Sequence, residues 1–133
     1  MPTSKPKEKE SSIQKAVLDW LKAKKYLAVR LNNIPVPTKG GGFRPVAVRG
    51  LPDAHLDFPF LNIPVSVWIE FKTSQGKLSD HQKNFKDSIE AYNGFYCVIR
   101  SIDEMESYLE KIKLELTERH KRGQNENNNS NHN

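Results

Sequence analysis

A single cysteine, Cys97, in a chain of 133 residues excludes an intrachain disulfide and a metal cluster built from several cysteines. It lies in the apolar run Phe95-Tyr96-Cys97-Val98-Ile99, where a thiol packs as a small inert hydrophobe. Long hydrophobic runs are missing as well. No stretch approaches the roughly 18 apolar residues of a membrane-spanning helix. The basic start, Met1 to Lys7, is not followed by an apolar signal core. The expected setting is therefore reducing and intracellular, cytoplasm or nucleoid, a viral origin included, with no membrane partner. No internal repeat is present. Acidic residues are outnumbered, 16 against 21 basic, for a net charge of +5. That balance is compatible with a polyanionic partner without establishing one.

The length suits one domain, and its parts differ in composition. Residues 1–9 form a basic, Lys- and Pro-containing arm. Residues 10–116 hold the apolar periodicity of a folded domain. Residues 117–133 end in an Asn-rich stretch too polar to bury a core, expected to be disordered. Ile13, Ala16, Val17, Trp20 and Leu21 recur at helical spacing, and Ser11 with Gln14 fits a capping box at the start. The helix should end near Lys24-Lys25. Tyr26 to Leu31 reads as a strand. A long loop, Asn32 to Gly50, follows, with Val46-Ala47-Val48 as a short strand inside it. Loops of this length in small domains are commonly functional or disordered.

Two strands with alternating patterns come next. In Asp53 to Phe58, the residues Ala54, Leu56 and Phe58 point one way, and Asp53, His55 and Asp57 the other. In Val65 to Lys72, the residues Val65, Val67, Ile69 and Phe71 should face the core. Ser66, Trp68, Glu70 and Lys72 should face the opposite side. Ser79 and Gln82 make a further capping box for a helix carrying Phe85, Ile89 and Tyr92, stopped by Gly94. Phe95 to Arg100 is a near-continuous apolar strand, which suggests a central place in the sheet. Ser101 with Glu104 starts a last helix bearing Met105, Tyr108, Leu109, Ile112 and Leu116. The fold class is α/β, a mixed sheet flanked by helices.

Strand alternation places Glu70 and Lys72 on one face of one strand, about 7 Å apart. Alone they could form a surface ion pair. Asp53 changes the reading, because the turn Gly50-Leu51-Pro52 delivers it to the start of a neighbouring strand. If the two strands pair, two carboxylates and one ammonium converge. Hard divalent cations such as Mg²⁺ take oxygen ligands of this kind, and no cysteine or histidine cluster competes for zinc. A cation held there would stabilise charge on a phosphate oxygen and acidify a water, and Lys72 would add a point charge.

In order, the residues Pro52-Asp53 and Glu70-Phe71-Lys72 resemble the PD-(D/E)XK nuclease motif. Their surroundings are similar to one branch of it, the VRR-NUC domain. The shared features are Glu10-Ser11-Ser12-Ile13-Gln14, Arg30-Leu31-Asn32-Asn33, Gly42-Phe43-Arg44-Pro45 and Gly50-Leu51-Pro52-Asp53. They continue through Ile69-Glu70-Phe71-Lys72, Gly76-Lys77-Leu78-Ser79, Gln82 and Arg100-Ser101, so the likeness covers residues 10 to 112. The acid-acid-lysine pattern alone is weak, and the ordered series is much stronger. The resemblance implies a restriction-endonuclease-like fold. It implies metal ligation by Asp53, Glu70 and the main-chain carbonyl of Phe71, with Lys72 catalytic. A first-helix carboxylate completes such sites; Glu10 is the candidate, with Gln14 as the alternative polar group. Gln82 matches the family's glutamine after the catalytic strand, and it also belongs to the capping box.

The implied activity is Mg²⁺-dependent hydrolysis of DNA, with Mn²⁺ as a substitute. Stand-alone members resemble Holliday-junction resolvases in size, so a structure-selective endonuclease acting as a homodimer is expected. A non-catalytic nucleic-acid-binding module on the same fold is the alternative. Phosphate contacts are expected from Lys39, Arg44 and Arg49 in the long loop, from Lys77, and from Arg30. Apolar residues available for a dimer interface are Trp68, Phe43 and Phe60-Leu61, unless a helix of the same chain covers Trp68.

Overall fold

The computed structural model describes residues 8–31, 36–44 and 48–131. The elements are α1 (Glu10–Ala23), β1 (Leu27–Arg30), β2 (Val36–Pro37), β3 (Phe43–Arg44), β4 (Ala54–Phe60), β5 (Ile63–Phe71), α2 (Asp80–Glu90), β6 (Phe95–Ile99) and α3 (Ile102–Ser130). The main sheet has four strands in the order β1-β4-β5-β6, and β2 with β3 forms a separate two-stranded sheet. In the main sheet β1, β4 and β5 run antiparallel to their neighbours, while β6 runs parallel to β5. The class is therefore mixed α/β, with helices flanking a mixed sheet. Most of the expected strand at Val46 to Val48 lies outside the described residues, as do Asn32 and Asn33.

The alternation expected for β4 and β5 is present. Ala54, Leu56, Phe58, Val65, Val67, Ile69 and Phe71 are buried in one core with Ile13, Val17, Leu18 and Leu21 of α1 and Met105, Leu109 and Ile112 of α3. The opposite face of β5 meets α2, where the Phe85 ring stands edge-on to Trp68, centroids 5.2 Å apart. Trp68 is thus covered by its own chain and is not a free interface residue. Phe60 likewise packs against the core. Leu61 and Asn62, at φ 53° and 62°, make the two-residue connection between β4 and β5. Paired left-handed residues are what a tight hairpin of matching twist requires.

The helix starts differ from one another in how locally they are determined. At α2 the Ser79 side chain accepts from Gln82 N while Gln82 Oε1 accepts from Ser79 N, the full capping box. At α3 Ser101 accepts from Glu104 N. At α1 the expected box at Ser11 and Gln14 is absent. The N-cap is Lys9, without a side-chain cap, and Glu10 is already helical. Gln14 is buried on the packed face of α1, so tertiary burial takes the side chain that local capping would have used.

Two further expectations are corrected. The strand Phe95–Ile99 lies at the edge of the sheet, not its centre. Its apolar character comes from helices on both sides, and Tyr108 of α3 donates to its Tyr96 carbonyl at 3.0 Å. The last helix continues to Ser130, where a disordered tail from residue 117 was expected. Glu115–Arg119 and Glu118–Lys121 pairs at helical spacing support that extension. Residues 121–131 are nonetheless exposed throughout and add nothing to the core.

Candidate metal centre

The register of the β4–β5 pair decides the site. Ala54 stands opposite Ile69, so Asp53, one residue earlier, comes opposite Glu70, one residue later. Directly opposed residues share a face. The first turn of α1 brings Glu10 to the same end of the sheet. One oxygen from each of Glu10, Asp53 and Glu70 lies within 4.8 Å of the others, a cluster that could hold a metal ion. Glu10 is exposed, Asp53 half-buried and Glu70 buried.

Two of the three carboxylates are held by partners. Asp53 Oδ2 accepts from the Phe71 main-chain N–H at 2.8 Å. Glu70 Oε1 accepts from Gln82 Nε2 at 3.0 Å, and Lys72 Nζ stands 3.9 Å from the same oxygen. Gln82 therefore serves the α2 cap with its oxygen and Glu70 with its nitrogen. Glu70 Oε2 is buried with no hydrogen-bond partner among the described residues. A buried carboxylate oxygen without a donor is costly, and a cation would satisfy it. Burial first, then the nearby negative charge of Asp53, push Glu70 up to about 8, with the Lys72 ammonium opposing. Crowded carboxylates with one raised in this way are typical of functional sites.

Comparison with protein-family models, with curated proteins and with solved structures gave no match. The chemistry of the centre therefore rests on the residues themselves.

The turn ahead of Asp53 is pinned to α2. Gly50 has φ +76°, and a Cβ there would fall 2.1 Å from the His81 carbonyl oxygen. Only glycine allows both this backbone and this approach. Gly50→Ala is expected to destabilise the fold by about 2 kcal/mol or more, through left-handed strain and the clash. A urea midpoint equal to wild type would contradict this account of the turn. The same packing sets Arg49 Nη1 3.5 Å from His81 Nε2, on a cavity of about 280 Å³ that Gln82 also lines.

The other basic residues are placed unequally. Lys77 is exposed in the segment between β5 and α2, whose Gly76 packs on the Lys72 stem. Arg30 pairs with Ala54 and so lies on the core-side face at the sheet edge, not beside Glu70. Lys39 is exposed in the turn between β2 and β3, and Arg44 ends β3. The side chains of Phe43 and Arg44 are not among those described. His55 and Asp57 follow Asp53 on its face as expected. Ser66 donates to Asp57 at 2.6 Å, and His55 lies 4.0 Å from Asp57 and edge-on to Trp68.

One neighbour of the centre has no counterpart in the sequence reading. Tyr96 pairs with Trp68 across β5 and β6 and is buried, and its hydroxyl also lacks a partner among the described residues. The apolar run around it hid its orientation. Only strand pairing reveals that it shares a face with Glu70.

Proposed function

We propose that this chain is a divalent-cation-dependent phosphodiesterase of the PD-(D/E)XK type, on a restriction-endonuclease-like fold, with the motif order of the VRR-NUC branch. The observation that carries this reading is the convergence of Glu10, Asp53 and Glu70 within 4.8 Å beside the ammonium of Lys72. The donor set is all oxygen, which favours Mg²⁺, with Mn²⁺ as a substitute. Among the described residues no helix is long and apolar enough to cross a membrane.

In this mechanism Glu10, Asp53 and Glu70, with the Phe71 carbonyl that follows from the resemblance, would hold the cation. When bound, it stabilises negative charge on a phosphate oxygen and makes a water more acidic. The Phe71 N–H fixes Asp53, and Gln82 fixes Glu70, so these two ligands need not reorganise. Lys72, 3.9 Å from Glu70, places a positive charge where the phosphate gains negative charge in the transition state. Arg49 and Lys77 lie in the segments before β4 and after β5 that flank the carboxylates. They are the described cations best placed for neighbouring phosphates, whereas Arg30 lies on the other face.

The substrate in this reading is DNA, cut internally and selected by structure, with branched duplexes such as Holliday junctions first among them. Two symmetric cuts call for a homodimer. Because Trp68 is covered by Phe85, the interface would draw on other apolar residues, such as Leu61, 47% exposed at the β4–β5 turn. Labelled four-way junction, flap, duplex and single-stranded DNA, incubated with Mg²⁺ or with chelator, test the proposal. Cleavage of at least one substrate that stops in chelator is expected. Binding without cleavage in Mg²⁺ and Mn²⁺ would instead make the chain a non-catalytic nucleic-acid-binding module.

A further inference from the structure

Among the described residues, two buried side-chain oxygens have no hydrogen-bond partner: Oε2 of Glu70 and the hydroxyl of Tyr96. They are chemically complementary, since a carboxylate only accepts and a phenol can donate. They also lie on one face of adjacent strands. Tyr96 pairs with Trp68, and Val98 pairs with Glu70, so Tyr96 and Glu70 are diagonal neighbours. Such neighbours sit about 7–8 Å apart at the backbone, within reach of an aromatic side chain. Tyr96 is only 4% exposed, and the Tyr108 hydroxyl holds its carbonyl from α3 at 3.0 Å, so its backbone is fixed.

Two other oxygens of the centre are already served. Glu70 Oε1 has Gln82 and Lys72, and Asp53 Oδ2 has the Phe71 N–H. A phenol carries its proton at neutral pH and can donate it in a hydrogen bond.

We infer that Tyr96 is a positioning residue of the metal centre: its hydroxyl donates to the Glu70 carboxylate across one water and holds it in the orientation that receives a divalent cation. The inference rests on the metal-centre reading above. Hydrogen bonds to ligating carboxylates orient metal sites in general, and their loss typically lowers metal affinity by about 10–100-fold.

The test is Mn²⁺ binding by full-length protein, read from the paramagnetic resonance signal of the free ion, in wild type, Tyr96→Phe and Tyr26→Phe. Tyr26 packs on Phe58, a core residue, and serves as the matched loss of a hydroxyl. The expected result is a dissociation constant at least about tenfold higher for Tyr96→Phe and unchanged for Tyr26→Phe. In chelator, the thermal midpoint of Tyr96→Phe should equal or exceed that of wild type, because the hydroxyl has no direct partner among the described residues and a bridging water can leave with it. Wild-type Mn²⁺ affinity in Tyr96→Phe would overturn the inference and leave the metal centre standing. A lowered midpoint in chelator would also overturn it, since the hydroxyl would then have a structural role. A wild-type protein that binds no Mn²⁺ would remove both the centre and the inference.

Discussion

Alanine at Asp53, Glu70 or Lys72 is expected to lower the rate of DNA cleavage by at least about 10²–10³-fold, the usual cost of removing an electrostatic contact made in the transition state. The three substitutions should differ in what they do to the fold. Glu70→Ala removes a buried carboxylate whose Oε2 has no partner, so the protein should remain folded. Lys72→Ala removes a side chain that contacts Glu70 at 3.9 Å and little of the apolar core. Asp53→Ala leaves the Phe71 N–H without its acceptor, a cost of about 1–3 kcal/mol. Asp53→Asn keeps an oxygen for that N–H and is the cleaner variant. Single-turnover rates in Mg²⁺, beside urea unfolding of each protein, separate catalysis from stability. Wild-type turnover in Glu70→Ala would end the assignment of the site.

The cation-free protein should lose stability as pH rises from the ordinary carboxylate range to above about 8. Glu70 binds its proton more tightly in the folded chain than in the unfolded one, its value standing near 8 against an unperturbed Glu near 4.3. For an acid raised in this way, the stabilising contribution is complete below the unfolded value and is lost as pH passes through the folded one. Each unit is worth about 1.4 kcal/mol, so the span is of the order of a few kcal/mol. Mg²⁺ should reverse the loss at high pH, because a cation takes the place of the proton. Glu70→Gln should flatten the profile. Urea midpoints in chelator across this window check the expectation. A flat wild-type profile would show that Glu70 is not carrying a raised affinity for its proton.

The sequence signals that proved readable are those settled by near neighbours. The Ser79/Gln82 box needs only one helical turn, and the alternation in β4 and β5 needs only a single buried side. Convergence of Asp53 and Glu70 was legible because the Gly50-Leu51-Pro52 turn and the two alternating strands already implied pairing. Glu10 could not be settled from residues 9–14, since the start of α1 depends on burying Gln14 in the tertiary structure. Phe95–Ile99 misled for a related reason. A strand enclosed by α2 and α3 is as apolar as a central one, although hydrogen bonding leaves it at the edge. Trp68 and Tyr96 needed partners from distant segments, Phe85 in one case and the register with β5 in the other. The length of α3 follows from charge pairs that compositional reasoning about an Asn-rich stretch does not weigh.

The connection at Leu61 and Asn62 lies at the far end of β4 and β5, about 27 Å from the carboxylates at roughly 3.4 Å per residue. Distance does not make it neutral. In a hairpin this tight, loop length dictates which residues face each other. Adding or deleting one residue there would shift Asp53 past Glu70 or turn one of them to the other side of the sheet. Length variation at this surface turn would disassemble the centre without touching any of its residues, so among homologous sequences the spacing from Asp53 to Glu70 should vary less than the identity of the amino acids at the turn itself.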